Sequence, residues 1–296
     1  MNLQYSTVSF LSDYGLVDEF VGVVKSVIRA LAPDAVVIDI SHEVPPHDIR
    51  AGGLTLARSA QYLAPGVVLA VVDPGVGTHR RAVAVEVGDG ESVLVGPDNG
   101  LLAPAVAMVG GATRAVELTN SELHLPAPGP TFAGRDVFAP AAAHLCTGTP
   151  FIELGSEIDP ASLVPGILPI ARPEGNGLAA EVLWVDRFGN VQLNVDPDDV
   201  DDWGERIRLR LGDEVRTARR DSTYDEIATG EVGLVVDSYG LLSIAVPRGS
   251  AAAVFRLDAG AAVTLERLDD DESDDAAGTT TRDTTTDVQL RPRVPR

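Results

Sequence analysis

The hydrophobic pattern changes period part-way along this chain, and that change limits the available folds more than any other feature. In the first part, short apolar runs at residues 7–11, 35–40 (AVVIDI) and 66–72 (GVVLAVV) alternate with segments 18–31 and 49–62, whose apolar residues recur at helical spacing. Further strands are expected at 82–87 and 92–95, and a helix at 139–146 after the Phe138-Ala139-Pro140 punctuation. Strand and helix in alternation predict a largely parallel sheet with helices on both faces. From residue 178 onward the period shortens to two, with strands expected at 180–185, 191–195, 206–211, 231–236, 241–245 and 261–266. That spacing suits a small β-barrel or a sandwich.

The fold class expected is therefore α/β, an N-terminal α/β domain (1–168) followed by a smaller C-terminal β-barrel domain (178–268). The stretch 160–177 is rich in Pro and Gly and weak in periodicity, and residues 169–177 are expected to be the linker. Residues 269–296 run acidic, then Thr-rich, then Arg/Pro-rich. They offer too little apolar surface to offset ordering entropy, so a disordered tail without catalytic role is expected there.

Composition narrows the partners. A formal charge of −21 argues against nucleic acid, which needs a dense basic surface. Lys25 is the sole lysine and the other basic side chains are arginines. One cysteine, Cys146, cannot close an intramolecular disulfide, which fits a reducing compartment. The N-terminus has neither a basic start nor a long apolar stretch, and no run of about 18 uncharged apolar residues occurs. A cytoplasmic protein that does not engage membranes is expected. There is no Gly-x-Ser-x-Gly elbow, no evident Ser/His/Asp order and no metal-ligand spacing among the histidines, so neither a metal nor a cofactor is expected.

Open α/β sheets bind ligands at the carboxyl ends of their strands, which directs attention to the polar loops there. Ser12-Asp13-Tyr14-Gly15 closes the first run, with Asp18 close behind; Asp13 suits the two hydroxyls of a ribose and equally suits helix capping. Asp73 to Arg81 follows the most apolar run, and its two glycines would let backbone N–H groups approach a ligand. Asp73 stands seven positions before Arg80, close enough for a tethered ion pair, though a turn role fits Asp73 as well. Gly96-Pro97-Asp98-Asn99-Gly100 reads as a tight turn with possible ligand contact. Pro130 to Asp136 is a further candidate loop. In the second half, Asp186-Arg187-Phe188-Gly189-Asn190 combines an acid, an aromatic face and an amide, as a purine site would, or else forms a plain hairpin turn.

Together FLSDYG, DISHEVPPHDIRAG, VVDPGVGTHRR, VGPDNGLL, PTFAGRDVFAP and WVDRFGNVQLN resemble, in order, the S-adenosylmethionine hydroxide adenosyltransferases, relatives of the fluorinating and chlorinating adenosyl enzymes. The resemblance implies a homotrimer that hydrolyses S-adenosylmethionine to adenosine and methionine, with a small-molecule substrate at subunit interfaces and no cofactor. It implies that Asp13 grips the ribose hydroxyls, Asp186 and Ser238 the methionine ends, and Asn190 the adenine edge. Asp18, Phe132, Phe188, Tyr224 and the backbone near Arg248 would complete the pocket. Asp73 and Arg80 match two members of the family's Asp–Arg–His triad, and Ala133 stands where the hydrolytic relatives carry the His. That departure implies a weakened or inactivated hydrolase, or a protein that holds S-adenosylmethionine or adenosine without turnover. Gly134 matches the small residue that makes room for chloride in the chlorinating branch, whereas Asp73 replaces the aromatic residue of the halogenating relatives. Water is thus expected over halide, with chloride-dependent synthesis as the runner-up.

Overall fold

The computed structural model describes residues 4–212 and 214–268, and the chain divides into two compact units after Pro169. The first contains β1 (Thr7–Ser12), α1 (Phe20–Leu31), β2 (Val36–Ser41), α2 (Ile49–Ala60), β3 (Val67–Val71), β4 (Ala82–Val87), β5 (Ser92–Pro97), α3 (Ala103–Met108), β6 (Ala112–Glu117), α4 (Ala139–Cys146) and β7 (Ser156–Ile158).

The run 66–72 reads as continuously apolar because β3 is covered on both faces. Val67, Leu69 and Val71 enter one core layer with α1 and α4, while Val68, Ala70 and Val72 enter the other with Leu56 of α2 and Ala105 of α3. Helix α1 turns Val21, Val24 and Ile28 inward, the spacing expected of an amphipathic helix. Helix α2 is capped by Asp48, whose carboxylate accepts the Ala51 N–H at 2.8 Å. Helices therefore lie on both faces, as the alternation required.

The sheet order is β2-β1-β3-β5-β4-β6-β7. The expectation of a largely parallel sheet holds for only half of it: β2, β1, β3 and β5 run parallel, but β4, β6 and β7 pair antiparallel. The physical reason is loop length. Strands β4 and β5 are joined by residues 88–91 alone, far too few for the crossover that parallel neighbours need. The sequence pattern does not predict helix α3 or strands β6 and β7, because sequences such as APAVAM and ATRAVE are short and carry no strong period.

The parallel half places a crevice where ligands bind in such sheets. From β1 the chain crosses by α1 to β2 on one side, then by α2 over the opposite face to β3 on the other side. The direction of winding reverses between β1 and β3, the topological switch point at which strand ends splay apart.

The second unit contains β8 (Arg172–Glu174), β9 (Gly177–Val185), β10 (Val191–Leu193), β11 (Arg206–Leu211), β12 (Glu214–Asp221), β13 (Val232–Val236), β14 (Leu242–Ala245), α5 (Ala251–Phe255) and β15 (Ala262–Arg267). Its order is β10-β14-β13-β12-β11-β15-β9-β8, and β10 also pairs with β9. That last pairing closes a seven-stranded β-barrel, which decides between barrel and sandwich. Val182, Leu193, Ile207, Leu209, Leu234 and Leu265 fill its interior. Strand β8 and the start of β9 fall within 169–177, the stretch expected to be linker; a turn at Gly175, with φ of 60°, folds one onto the other. Strand β12 went unforeseen because EVRTARRD is almost wholly polar, while its pairing with β11 and β13 fixes it as a strand. The expected tail at 269–296 lies outside the described residues. Among the described residues no helix is long and apolar enough to cross a membrane.

Leu69 sits at the centre of β3 with no exposed surface. Leu69→Ala should lower the unfolding free energy by about 2–5 kcal/mol, the usual cost of a buried leucine truncation, as read from urea titrations.

Candidate functional site

Asp13 and Asp73 follow the adjacent parallel strands β1 and β3, whose register pairs Ser12 with Val71. The Asp13 N–H reaches the Val71 carbonyl at 3.3 Å, so the two loops leave the sheet side by side. One oxygen of Asp13 accepts the backbone N–H of His47 at 2.9 Å. His47 holds a left-handed φ of 69°, an uncommon conformation for a residue with a side chain and one that often marks a functional site. No hydrogen bond to the other oxygen of Asp13 is found among the described residues.

Asp73 is almost fully buried, its side chain 5% exposed, and Arg80 grips it with two parallel hydrogen bonds, Nε at 2.8 Å and Nη2 to the second oxygen. Arg80 is itself fixed, donating to the Arg81 carbonyl at 3.0 Å and lying over the Phe138 ring at 5.2 Å. The tethered ion pair suggested by the spacing is thus present, in the bidentate form only an arginine fork allows. Each carboxylate oxygen retains a further lone pair for a water or ligand.

The two glycines in this loop do not both serve a ligand. Gly77 has φ of 77°, and a Cβ there would stand 3.1 Å from the Pro130 carbonyl, so its bareness lets this loop pack on the 130–134 loop. The Gly96–Gly100 candidate proves to be a brace. Asp98 binds Arg81 at 2.8 Å and the Val164 N–H at 2.8 Å, and Asn99 donates to the Val72 carbonyl at 2.9 Å, directly behind Asp73.

Asp13, Asp73, Phe132, Ala133 and Gly134 line one cavity of about 260 Å³, together with Tyr14, Phe20 and His47. The backbone forms a single π-helical turn at Gly134–Phe138 before α4, a distortion frequent at functional sites. Arg135 and Asp136 pair with each other at 2.6 Å rather than reaching into the cavity. Tyr14, Phe20 and Phe132 pack edge to face or tilted, with centroids 5.0–5.7 Å apart, and make an aromatic wall. Burial, with the carboxylates of Asp13 and Asp73 next, drives the Tyr14 hydroxyl well above its ordinary pKa. Asp18 is not in this cavity: α1 begins at Phe20, and Asp18 lies in the exposed turn before it.

Gly134 has an ordinary backbone conformation, and what excludes a side chain there is the Tyr14 hydroxyl, which a Cβ would strike. The Tyr14 hydroxyl thus stands where a side chain at 134 would begin. Tyr14, Phe20 and His47 were not singled out from sequence; the left-handed His47 could not be foreseen, but Tyr14 stood inside a motif already chosen.

A second cleft, in the barrel unit, is lined by Asp186, Phe188, Asn190, Tyr224, Ser238 and Arg248, six residues scattered over 63 positions of sequence that the barrel ends gather. The 186–190 loop is indeed a hairpin, Val185 pairing with Val191, and also part of the cleft. Asp186 accepts the N–H groups of Phe188 and Asn190 and the Asn190 side-chain NH₂, each at 2.8 Å. One N–H of the Asn190 amide is engaged by Asp186, and its carbonyl oxygen, an acceptor, and its second N–H, a donor, are not. The Phe188 ring is 79% exposed beside it, an unstacked aromatic face. Tyr224 bonds to Ser243, and burial with Asp237 and Asp186 nearby raises its pKa. Ser238 lies on the exposed turn between β13 and β14, and Arg248 holds a left-handed φ of 51°.

Comparison with known proteins bears on both units. The family described as "SAM hydroxide adenosyltransferase N-terminal domain" matches residues 8–155, and its C-terminal counterpart matches 180–264. A protein of Salinispora tropica named (R)-S-adenosyl-L-methionine hydrolase is 46% identical over 83% of this chain and 92% of its own length. One of the same name from Thermus thermophilus is 43% identical over 87% of this chain and 98% of its own. The crystal structure of an uncharacterized conserved protein from Thermotoga maritima superposes with a TM-score of 0.81 at 35% identity, covering 88% of this chain and all of that one.

Gly189 anchors the barrel loop: it has φ of 86°, and a Cβ there would collide with Ser250 at the start of α5. Gly189→Ala should cost at least about 1–2 kcal/mol of stability from the left-handed backbone alone, read by thermal unfolding.

Proposed function

The chain belongs to the S-adenosylmethionine hydroxide adenosyltransferase family, and from that premise we propose that it hydrolyses S-adenosylmethionine to adenosine and methionine. The observation that carries this reading is the Asp73 carboxylate, buried, clamped by Arg80 and facing the same cavity as Asp13. A sulfonium is already a good leaving group, so the protein needs only to hold a water in line behind C5′ and accept its proton. Asp73 is the acceptor and Arg80 fixes its orientation. The water oxygen bonds to C5′ as the C5′–S bond breaks, the electron pair goes to sulfur, and the proton leaves through Asp73.

Asp13 would hold the ribose hydroxyls, Asn190 the adenine edge and Phe188 the purine face, with Asp186, Ser238, Tyr224 and the backbone at Arg248 shaping the methionine end. Asp18 and the methyl of Ala133, at the position of the family His, take their places from the resemblance. No metal or cofactor is needed for this displacement. The acidic surface suits a cationic substrate and disfavours nucleic acid. The names of the relatives point to the (R) sulfonium epimer as the form to offer first. We further propose the homotrimer that the resemblance implies, with sites at subunit interfaces, and a cytoplasmic setting, in keeping with Cys146, buried and with its thiol pushed up to about 11. Retention of Asp73 speaks for water over chloride.

Adenosine formation followed by chromatography tests the proposal. Wild-type protein should release adenosine and methionine in equal amounts, and Asp73→Asn should lower kcat by about 10²–10⁴-fold, the span of a general-base loss. Tight substrate binding without any adenosine would support a silent binder instead, and a chloride-dependent chlorinated nucleoside would support the halogenase. Light scattering should give three chains per particle.

A further inference from the structure

The Tyr14 hydroxyl enters the cavity shared by Asp73 and Ala133 and lies against the bare Cα of Gly134. Its ring is held by Phe132 and Phe20, so the hydroxyl has a fixed position rather than a choice of rotamers. No hydrogen bond to that hydroxyl is found among the described residues. A phenol oxygen both donates and accepts, so a water or ligand in the cavity can pair with it. Small side chains at 133 and 134 and a large one at 14 fit together as one arrangement.

We infer that Tyr14 orients the attacking water, its phenol oxygen accepting one water hydrogen while the Asp73 carboxylate accepts the other, so that the lone-pair side of the water oxygen faces C5′. This rests on the hydrolytic reading above and gives the cavity the second polar contact that Ala133 lacks. Two acceptors fix both hydrogens of the water, which a single carboxylate cannot do. In the displacement the water oxygen bonds to C5′, sulfur departs with the C5′–S electron pair, and the surplus proton passes to Asp73 and then to solvent. Tyr14 begins and ends as a neutral phenol. Burial and the neighbouring carboxylates keep it protonated through the working pH range, so it positions rather than deprotonates.

Steady-state adenosine formation is measured for wild type, Tyr14→Phe, Ala133→His and the double variant, with the thermal midpoint of each. Tyr14→Phe should lower kcat by at least about 10-fold, near the low end for loss of a group acting in the transition state, with KM changed by less than about 3-fold and the midpoint kept. Ala133→His should accelerate Tyr14→Phe by a larger factor than it accelerates wild type, since the two side chains serve the same water. Gly134→Ala, which displaces the hydroxyl and leaves the ring, covers the case in which Tyr14→Phe does not fold, and should lower kcat likewise. Adenosine released by wild type with Tyr14→Phe within twofold of it, or equal acceleration of both backgrounds by Ala133→His, overturns the assignment and leaves the hydrolytic reading standing. No adenosine from wild type would sink both.

Discussion

The parallel pairing of β1 with β3 is the constraint on which the first unit depends. It places the reversal of winding between these two strands, so their carboxyl ends open a crevice instead of a packed edge. Both acidic residues of the cavity stand just past those ends, Asp13 directly after β1 and Asp73 separated from β3 by Val72 alone. The continuous burial of β3 on two faces makes the arrangement stiff, because any shift of register would carry six apolar side chains out of their layers.

A carboxylate as buried as Asp73 would not remain there unpaired. Desolvation of a lone ion costs several kcal/mol, and Arg80 offsets it by a planar fork matched to both oxygens, with Phe138 and the Arg81 carbonyl holding the fork in place. Such a pair is weak evidence for stability and better evidence of a charge kept for use. Braces behind it serve the same end: Asn99 to the Val72 carbonyl, Asp98 to Arg81, and Gly77 against Pro130. The catalytic carboxylate of the proposed reaction is thereby held by three separate segments.

How much of this could be read beforehand follows the range of the interactions. The two units, the helices over both faces of the first sheet, and the Asp73–Arg80 pair come from local period and short spacing, and sequence showed them. Closure of the barrel through β9 and β10, the polar strand β12, and the antiparallel half of the first sheet depend on distant pairing, which periodicity does not encode. Asp18 lies in the exposed turn before α1, a placement its motif alone does not give. The hydroxyl against Gly134 comes from a residue 120 positions earlier, and nothing local announces that contact.

The most direct test of hydrolysis at C5′ is the fate of the water oxygen. Incubation with S-adenosylmethionine in H₂¹⁸O, followed by mass spectrometry of the released nucleoside, should give adenosine carrying ¹⁸O at its 5′ hydroxyl, with unlabelled methionine. Adenosine without the label, or no adenosine from protein that binds the substrate, would contradict the account.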